Sequence, residues 1–111
     1  MGRLFLGLDL STQSLSATVI DYDTRKIIYE TSVSYDKDLP HYGTQNGVLN
    51  NQDPKVVHSP PLIWVEALDL LFENLCKENV PLCDLLAISG SGQQHGSVYL
   101  NNSAARTLSS L

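Results

Sequence analysis

The sequence lacks the features of a nucleic-acid binder, a membrane protein or a disulfide-knit domain. Seven Lys and Arg face twelve Asp and Glu, a formal net charge of −5. Apart from Arg25-Lys26 the cations stand singly, so no basic patch exists to neutralise phosphates of a nucleic acid. No apolar run approaches the roughly 18–20 residues that a membrane-spanning helix takes. Met1-Gly2-Arg3-Leu4-Phe5-Leu6 shows neither the long apolar stretch nor the small-residue cleavage site of a signal peptide. Leu6 stands where an N-myristoylation signal has Ser or Thr. Cys76 and Cys83 are the only two cysteines, too few for a disulfide framework and not in a CxxC pair. His58 and His95 are not at metal-ligand spacing, so no structural zinc site is expected. Both thiols read as reduced, one on a helix and one in a loop, in a cytoplasmic protein. A Walker GxxxxGK[ST] loop is absent. A G-x-S-x-G elbow is absent too, since Gly90-Ser91-Gly92 is one residue short on each side. There is no internal repeat and no low-complexity block.

The 111 residues that remain, 42% hydrophobic and 17% charged, suit one globular domain or part of one. Arg3 to Leu10 reads as a largely buried strand, with Leu4, Leu6, Leu8 and Leu10 on one face and Phe5 and Asp9 on the other. The β-branched stretch Ser16 to Asp21 and the stretch Lys26 to Tyr35 follow after polar turns. Short connections predict an antiparallel meander of these three strands. The polar stretch Asp36 to Pro60 is expected to be irregular, and a loop of that length is usually functional or poorly ordered. Ile63, Ala67, Leu68, Leu71, Phe72 and Leu75 recur at helical period, with Ser59 as N-cap, Pro60 or Pro61 in the first turn and Pro81 closing the region. Leu85 to Ile88 is a short strand that Ser89-Gly90-Ser91-Gly92 breaks. Ser97 to Leu100 is a further strand candidate, and Asn101 to Leu111 has no closing element. The order predicts a mixed α/β fold with the helix on one face of the sheet.

Two segments could carry chemistry. In Leu8-Asp9-Leu10-Ser11-Thr12-Gln13-Ser14 an acidic residue at a strand end meets a hydroxyl-rich turn. Turn amides and hydroxyls can donate to phosphate oxygens, and one carboxylate can hold a hydrated Mg²⁺. The same spacing also fits a plain side-chain-to-backbone turn made by Asp9 and Ser11. In Ser89-Gly90-Ser91-Gly92-Gln93-Gln94-His95-Gly96 glycines allow close backbone approach to a ligand. The neutral donors and acceptors of Gln94 and His95 suit a polyhydroxylated substrate; a glycine-rich turn with incidental amides fits the composition as well. His41 and His58 read as solvated, Trp64 as packing, and Tyr42 as the tyrosine best placed in the long loop.

Together these segments resemble one family. Leu6-Gly7-Leu8-Asp9-Leu10-Ser11-Thr12-Gln13-Ser14 is similar to the first phosphate motif of sugar kinases with the actin- and hexokinase-like (ribonuclease H-like) ATPase fold. Ile88-Ser89-Gly90-Ser91-Gly92-Gln93-Gln94-His95-Gly96-Ser97 resembles the substrate loop of the FGGY carbohydrate kinases, in the eukaryotic version that acts on D-xylulose. Many members carry Gly where Ser11 stands; the eukaryotic version shares the serine. Asp38-Leu39-Pro40, Tyr42-Gly43-Thr44-Gln45 and Ser59-Pro60-Pro61-Leu62-Ile63-Trp64-Val65-Glu66-Ala67-Leu68-Asp69 add to the likeness, which spans residues 3–100.

The resemblance implies an α/β fold with a mixed sheet whose first three strands are antiparallel. It implies ATP, Mg²⁺ and D-xylulose as reactants and D-xylulose 5-phosphate as product, with another ketose or a polyol as the alternative substrate. Asp9 would place the metal through water, and Ser11, Thr12 and Gln13 would line the phosphate turn. Gln94 and His95 would bind the sugar. Family members run to several hundred residues in two domains, with the catalytic Asp and the adenine pocket far downstream. Residues 1–111 are therefore expected to be the incomplete N-terminal part of the first domain, with no catalytic base. Such a piece would be inactive alone, with an uncovered sheet edge and a helix stripe short of partners. A non-catalytic product that associates with another chain is the remaining alternative.

Overall fold

The computed structural model describes residues 2–94 and 96–110. Four strands, β1 (Leu4–Leu10), β2 (Ser14–Asp21), β3 (Lys26–Ser34) and β4 (Leu85–Ser91), form one sheet in the order β3-β2-β1-β4. β1–β2 and β2–β3 pair antiparallel as the short turns dictate, whereas β4 pairs parallel to β1. A parallel neighbour needs a crossover, and the helix α2 (Leu62–Lys77) supplies it. The sheet is thus mixed, with the first three strands antiparallel, as expected.

The core lies between one face of this sheet and α2. Alternation puts Leu4 and Leu6 of β1, Leu15, Ala17 and Val19 of β2 and Val33 of β3 on that face. Ile63, Ala67, Leu71 and Leu75, spaced by four, meet them at 0% exposure. Each large aliphatic so buried contributes about 1.5–3 kcal/mol. Four of the six stripe residues thus find partners within this chain, beyond expectation, because β2 and β3 supply an apolar face, whereas Leu68 stays 36% exposed and Phe72 half-buried. β1 buries that face only: Gly7 and Asp9 on the other are exposed.

The ends of α2 also differ from the expectation. Ser59 does not cap it; its hydroxyl donates to the Gly47 carbonyl at 2.9 Å, and Pro61 stands at the cap with helical φ −61°. At the C-terminus Asn79 turns left-handed at φ 60°. Its N–H reaches the Cys76 carbonyl and that of Val80 reaches Leu75, both at 3.0 Å, the bond pattern of a Schellman cap with Asn in the glycine position. The helix ends there, before Pro81.

The stretch 36–60 is irregular only in part: residues 49–60 carry no helix or strand, as expected, but 36–48 are organised. A short helix α1 (Tyr35–Asp38), a 3₁₀ turn (Pro40–Tyr42) and an isolated bridge between Gln45 and Val48 organise it. β3 accordingly ends at Ser34, one residue before Tyr35. β4 runs on through Gly90 to Ser91 because β1 continues to pair with it. Ser97–Leu100 forms no strand, and the tail closes in a short helix α3 (Ala104–Ser109). β4 is a sheet edge, exposed from Leu86 onward.

Candidate functional site

Parallel pairing decides where the site is. β1 and β4 run the same way, so the turn after β1 and the loop after β4 emerge at one end of the sheet, where ligands of parallel sheets bind. Asp9 stands opposite Ser91 in that register, and the Ser91 hydroxyl donates to Asp9 Oδ1 at 3.1 Å. The other carboxylate oxygen makes no hydrogen bond among the described residues. Asp9 takes no part in closing the turn, so of the plain side-chain-to-backbone turn only the Ser11 half forms. Ser11 instead uses both its N–H and its hydroxyl on the Ser14 carbonyl, at 2.9 and 3.0 Å.

The turn at 11–13 is gripped by its carbonyls. The Tyr35 hydroxyl and Gln93 Nε2 each donate to the Ser11 carbonyl at 3.2 Å. The Tyr35 N–H donates to the Gln13 carbonyl at 3.0 Å. Gly47 lies against the Thr12 carbonyl so closely that a Cβ on Gly47 would stand 1.8 Å from that oxygen. Meanwhile the N–H groups of Thr12 and Gln13 donate to nothing among the described residues. Backbone donors left free in a turn with its carbonyls tied back make an anion-binding concavity. Burial, and next the charge of Asp9, push the Tyr35 phenol up to about 12, so it remains a donor at neutral pH.

A cleft of about 400 Å³ opens beside this turn. Thr12 forms one end. Gln93, Gln94 and Ser97 of the loop after β4 form one wall, and Val57, His58, Ser59 and Trp64 the other. Thr12 and Gln94, two predicted site residues, therefore share one cleft, while Asp9, Ser11 and Gln13 lie off its wall. His95 lies outside the described residues. Trp64 Nε1 is buried and is without a hydrogen-bond partner among the described residues.

Sequence reasoning missed Gln93, Tyr35, Asp36 and Gly47. For Gly47 a signal was present: Asn46-Gly47 is the dipeptide of a type I′ turn, which needs positive φ twice. The structure has φ 54° and 81° there, closed by paired bonds between Gln45 and Val48 at 2.8 and 3.1 Å. His41 is not simply solvated. Its Nε2 meets Glu66 Oε2 at 3.0 Å, beside the Tyr42 hydroxyl at 2.6 Å. Those two partners, Tyr42 first, hold the Glu66 carboxyl below its usual range.

Comparison with known proteins gives relatives along nearly the whole chain. It is 46% identical over 109 residues to the xylulose kinase of Rattus norvegicus. It is likewise 46% identical over 110 residues to xylulose kinase 2 of Arabidopsis thaliana. Against the xylulose kinase of Saccharomyces cerevisiae it is 43% identical over 107 residues. These alignments take in 98, 97 and 96% of the chain. The chain spans about a fifth of the relatives' own length: 20, 19 and 17%. Among solved structures, a xylulose kinase from Brucella ovis superposes with a TM-score of 0.70 at 21% identity, over 92% of this chain and 19% of that one. A gluconate kinase from Lactobacillus acidophilus gives 0.70 at 17% identity, over 94% and 18%. The fold is thus that of sugar kinases, part of the actin-like ATPase architecture. No protein-family model matches the chain.

Proposed function

We propose that this chain, a relative of the eukaryotic xylulose kinases among the FGGY carbohydrate kinases, carries the phosphate turn and one sugar-facing wall of an ATP-dependent kinase that makes D-xylulose 5-phosphate. The observation that carries the reading is the cleft in which Thr12 of the amide-lined turn and Gln94 of the glycine-rich loop face a common space. The free amides of Thr12 and Gln13 suit phosphate oxygens, with the hydroxyl of Thr12 beside them. Gln94, and His95 by the likeness, offer neutral hydrogen bonds to sugar hydroxyls.

Asp9 fits a hydrated Mg²⁺: it is exposed and one oxygen is unbonded among the described residues. Magnesium usually keeps several waters and takes one or two protein carboxylates. Among the described residues no three His, Cys, Asp or Glu side chains gather into a closed metal cage, which a water-mediated site does not require. The metal would neutralise charge on the transferring phosphoryl group. The base that accepts the sugar proton and the adenine pocket are assigned to chain beyond these 111 residues, so this segment is taken to be the N-terminal part of a two-domain enzyme. A cytoplasmic setting, where ATP is supplied and the exposed thiols of Cys76 and Cys83 stay reduced, suits that activity.

A coupled assay with ATP, Mg²⁺ and D-xylulose tests this on the chain beside the longer polypeptide that carries it. Turnover is expected in the longer form only. There, Asp9→Asn should lower kcat about a hundredfold, the scale of losing one charge-stabilising group. His95→Ala should raise the apparent KM for sugar about 2- to 12-fold, one neutral hydrogen bond's worth. Equal effects of both substitutions on both substrates would sink this division of roles. Faster turnover of D-ribulose or glycerol would keep the kinase but change its sugar.

A further inference from the structure

The stretch 36–60 is held in shape by one carboxylate that none of the foregoing roles uses. Asp36 Oδ1 accepts from the Thr44 hydroxyl at 2.7 Å and from the Gly47 N–H at 3.1 Å, and Oδ2 accepts from the Asn46 N–H at 2.7 Å. Three donors thus converge on it from the one hairpin whose tip, Gly47, seats on the Thr12 carbonyl. The neighbouring residue, Tyr35, takes the other two carbonyls of the same turn, through its hydroxyl on Ser11 and its N–H on Gln13. Residues 35 and 36 therefore organise two different contacts that press on one three-residue turn from its carbonyl side.

We propose that Asp36, acting through the Asn46-Gly47 turn, is a positioning residue that holds the 11–13 turn with the Thr12 and Gln13 amides aimed at the phosphates of a nucleotide. With the Ser11 and Gln13 carbonyls hydrogen-bonded and the Thr12 carbonyl packed against Gly47, a peptide flip that would present an oxygen to an anion is opposed. The donors then meet the phosphate without reorganising, which is what makes preorganised dipoles effective. Gly47 fits this task because no side chain could enter so close to Thr12, and because φ 81° is a conformation that L side chains rarely adopt. The phosphate half of the inference rests on the function proposed above; the clasp itself does not.

The test uses ¹⁵N relaxation on the 111-residue chain, with Mg²⁺-pyrophosphate as the phosphate probe. Asp38→Asn is the control, since Asp38 Oδ2 accepts the Ser34 N–H at 2.8 Å and so ties the same helix without touching the hairpin. In the unsubstituted chain the order parameters of Thr12 and Gln13 should be near 0.85, and in Asp36→Asn they should fall below about 0.6. In Asp38→Asn they should hold. Pyrophosphate should shift both amides saturably in the unsubstituted chain, with binding weakened about 3- to 10-fold in Asp36→Asn as a charge-assisted bond set is lost. Should Asp36→Asn fail to fold, Thr44→Val, which removes one donor at constant shape, must show the same loosening to a lesser degree. An unchanged turn in Asp36→Asn, or equal loosening by the control, overturns the clasp. An ordered turn that pyrophosphate never shifts overturns the phosphate reading, and with it the functional half of the inference.

Discussion

The turn at 11–13 and the loop at 92–98 leave neighbouring parallel strands at the same end of one sheet, yet they are held very differently. The turn is hydrogen-bonded at its Ser11 and Gln13 carbonyls and packed against at its Thr12 carbonyl by residues that are themselves anchored: Tyr35 is fully buried in the core and Gly47 is tied to Asp36. Among the described residues the loop shows no such backing. Its parent strand β4 lies at the sheet edge with Leu86 60% and Ile88 54% exposed. Two side-chain bonds, Ser91 to Asp9 and Gln93 to Ser11, fasten it to the turn's side of the cleft. Within these 111 residues the turn is backed on its carbonyl side, and the loop is held by fewer bonds among the described residues.

The largest test of that contrast removes the support of the rigid side. Leu71 sits at 0% exposure between α2 and the sheet. Leu71→Ala should cost about 2–5 kcal/mol, transfer plus cavity, and lower the denaturant midpoint steeply by circular dichroism. Leu86→Ala on β4 removes the same atoms from an exposed position and should stay within about 0.5 kcal/mol. If the two substitutions destabilise equally, β4 is as much part of the core as α2 and the contrast fails.

Much of the rigid side was legible in the sequence. The leucine alternation of β1, the β-branched run of β2 and the four-residue spacing of α2 each announce one element because burial on one face imposes that period. The two segments that meet at one end of the sheet stood out as well, since a strand-end Asp with a hydroxyl-rich turn and a glycine-rich stretch with amides are local patterns. The sequence did not show what ties them. Asp36, Thr44 and Gly47 look like any polar loop, because their meaning lies in three donors converging across ten residues rather than in a period. Asn46-Gly47 was the one local sign of order there. The end of β4 was placed too early for the opposite reason. Glycine at position 90 reads as a break, but pairing with β1 overrides that local preference. The tail misled similarly: the small residues Ser103-Ala104-Ala105 read, with the polar end of the chain, as carrying no closing element, although alanines are good helix formers.

A smaller effect sharpens the comparison within the rigid side. Tyr35→Phe keeps the buried ring but deletes the hydroxyl that donates to Ser11. It should cost about 0.5–1.5 kcal/mol and loosen the turn, while leaving the amide exchange of 92–98 unchanged. The sign with pH follows from a phenol whose folded pKa is raised from 10.0 to about 12. Its contribution is complete below pH 10, where the phenol is protonated folded or unfolded. It is lost as pH rises through 12, because the unfolded chain releases the proton first. Urea midpoints measured on both sides of that window should fall more for the unsubstituted chain than for Tyr35→Phe. Parallel falls would mean that Tyr35 keeps no proton on behalf of the fold.

The smallest effect asks whether the two walls are separate at all. Gln93 Nε2 reaches the Ser11 carbonyl across the exposed mouth of the cleft, so Gln93→Ala should change stability by no more than about 0.5 kcal/mol. Its consequence should be one-sided. The Ser11 carbonyl keeps the Tyr35 hydroxyl, so the turn loses one of two donors and holds its shape. The loop loses one of two tethers, and the amides of Gln94, Ser97 and Val98 should exchange faster. Hydrogen exchange read residue by residue checks this. If Thr12 and Gln13 instead loosen together with the loop, the turn draws its order from the loop, and the two walls form one coupled unit. The asymmetry of bonds favours the first outcome: among the described residues every hydrogen bond that holds the turn, except that of Gln93, comes from Tyr35 or Ser14, which lie outside β4.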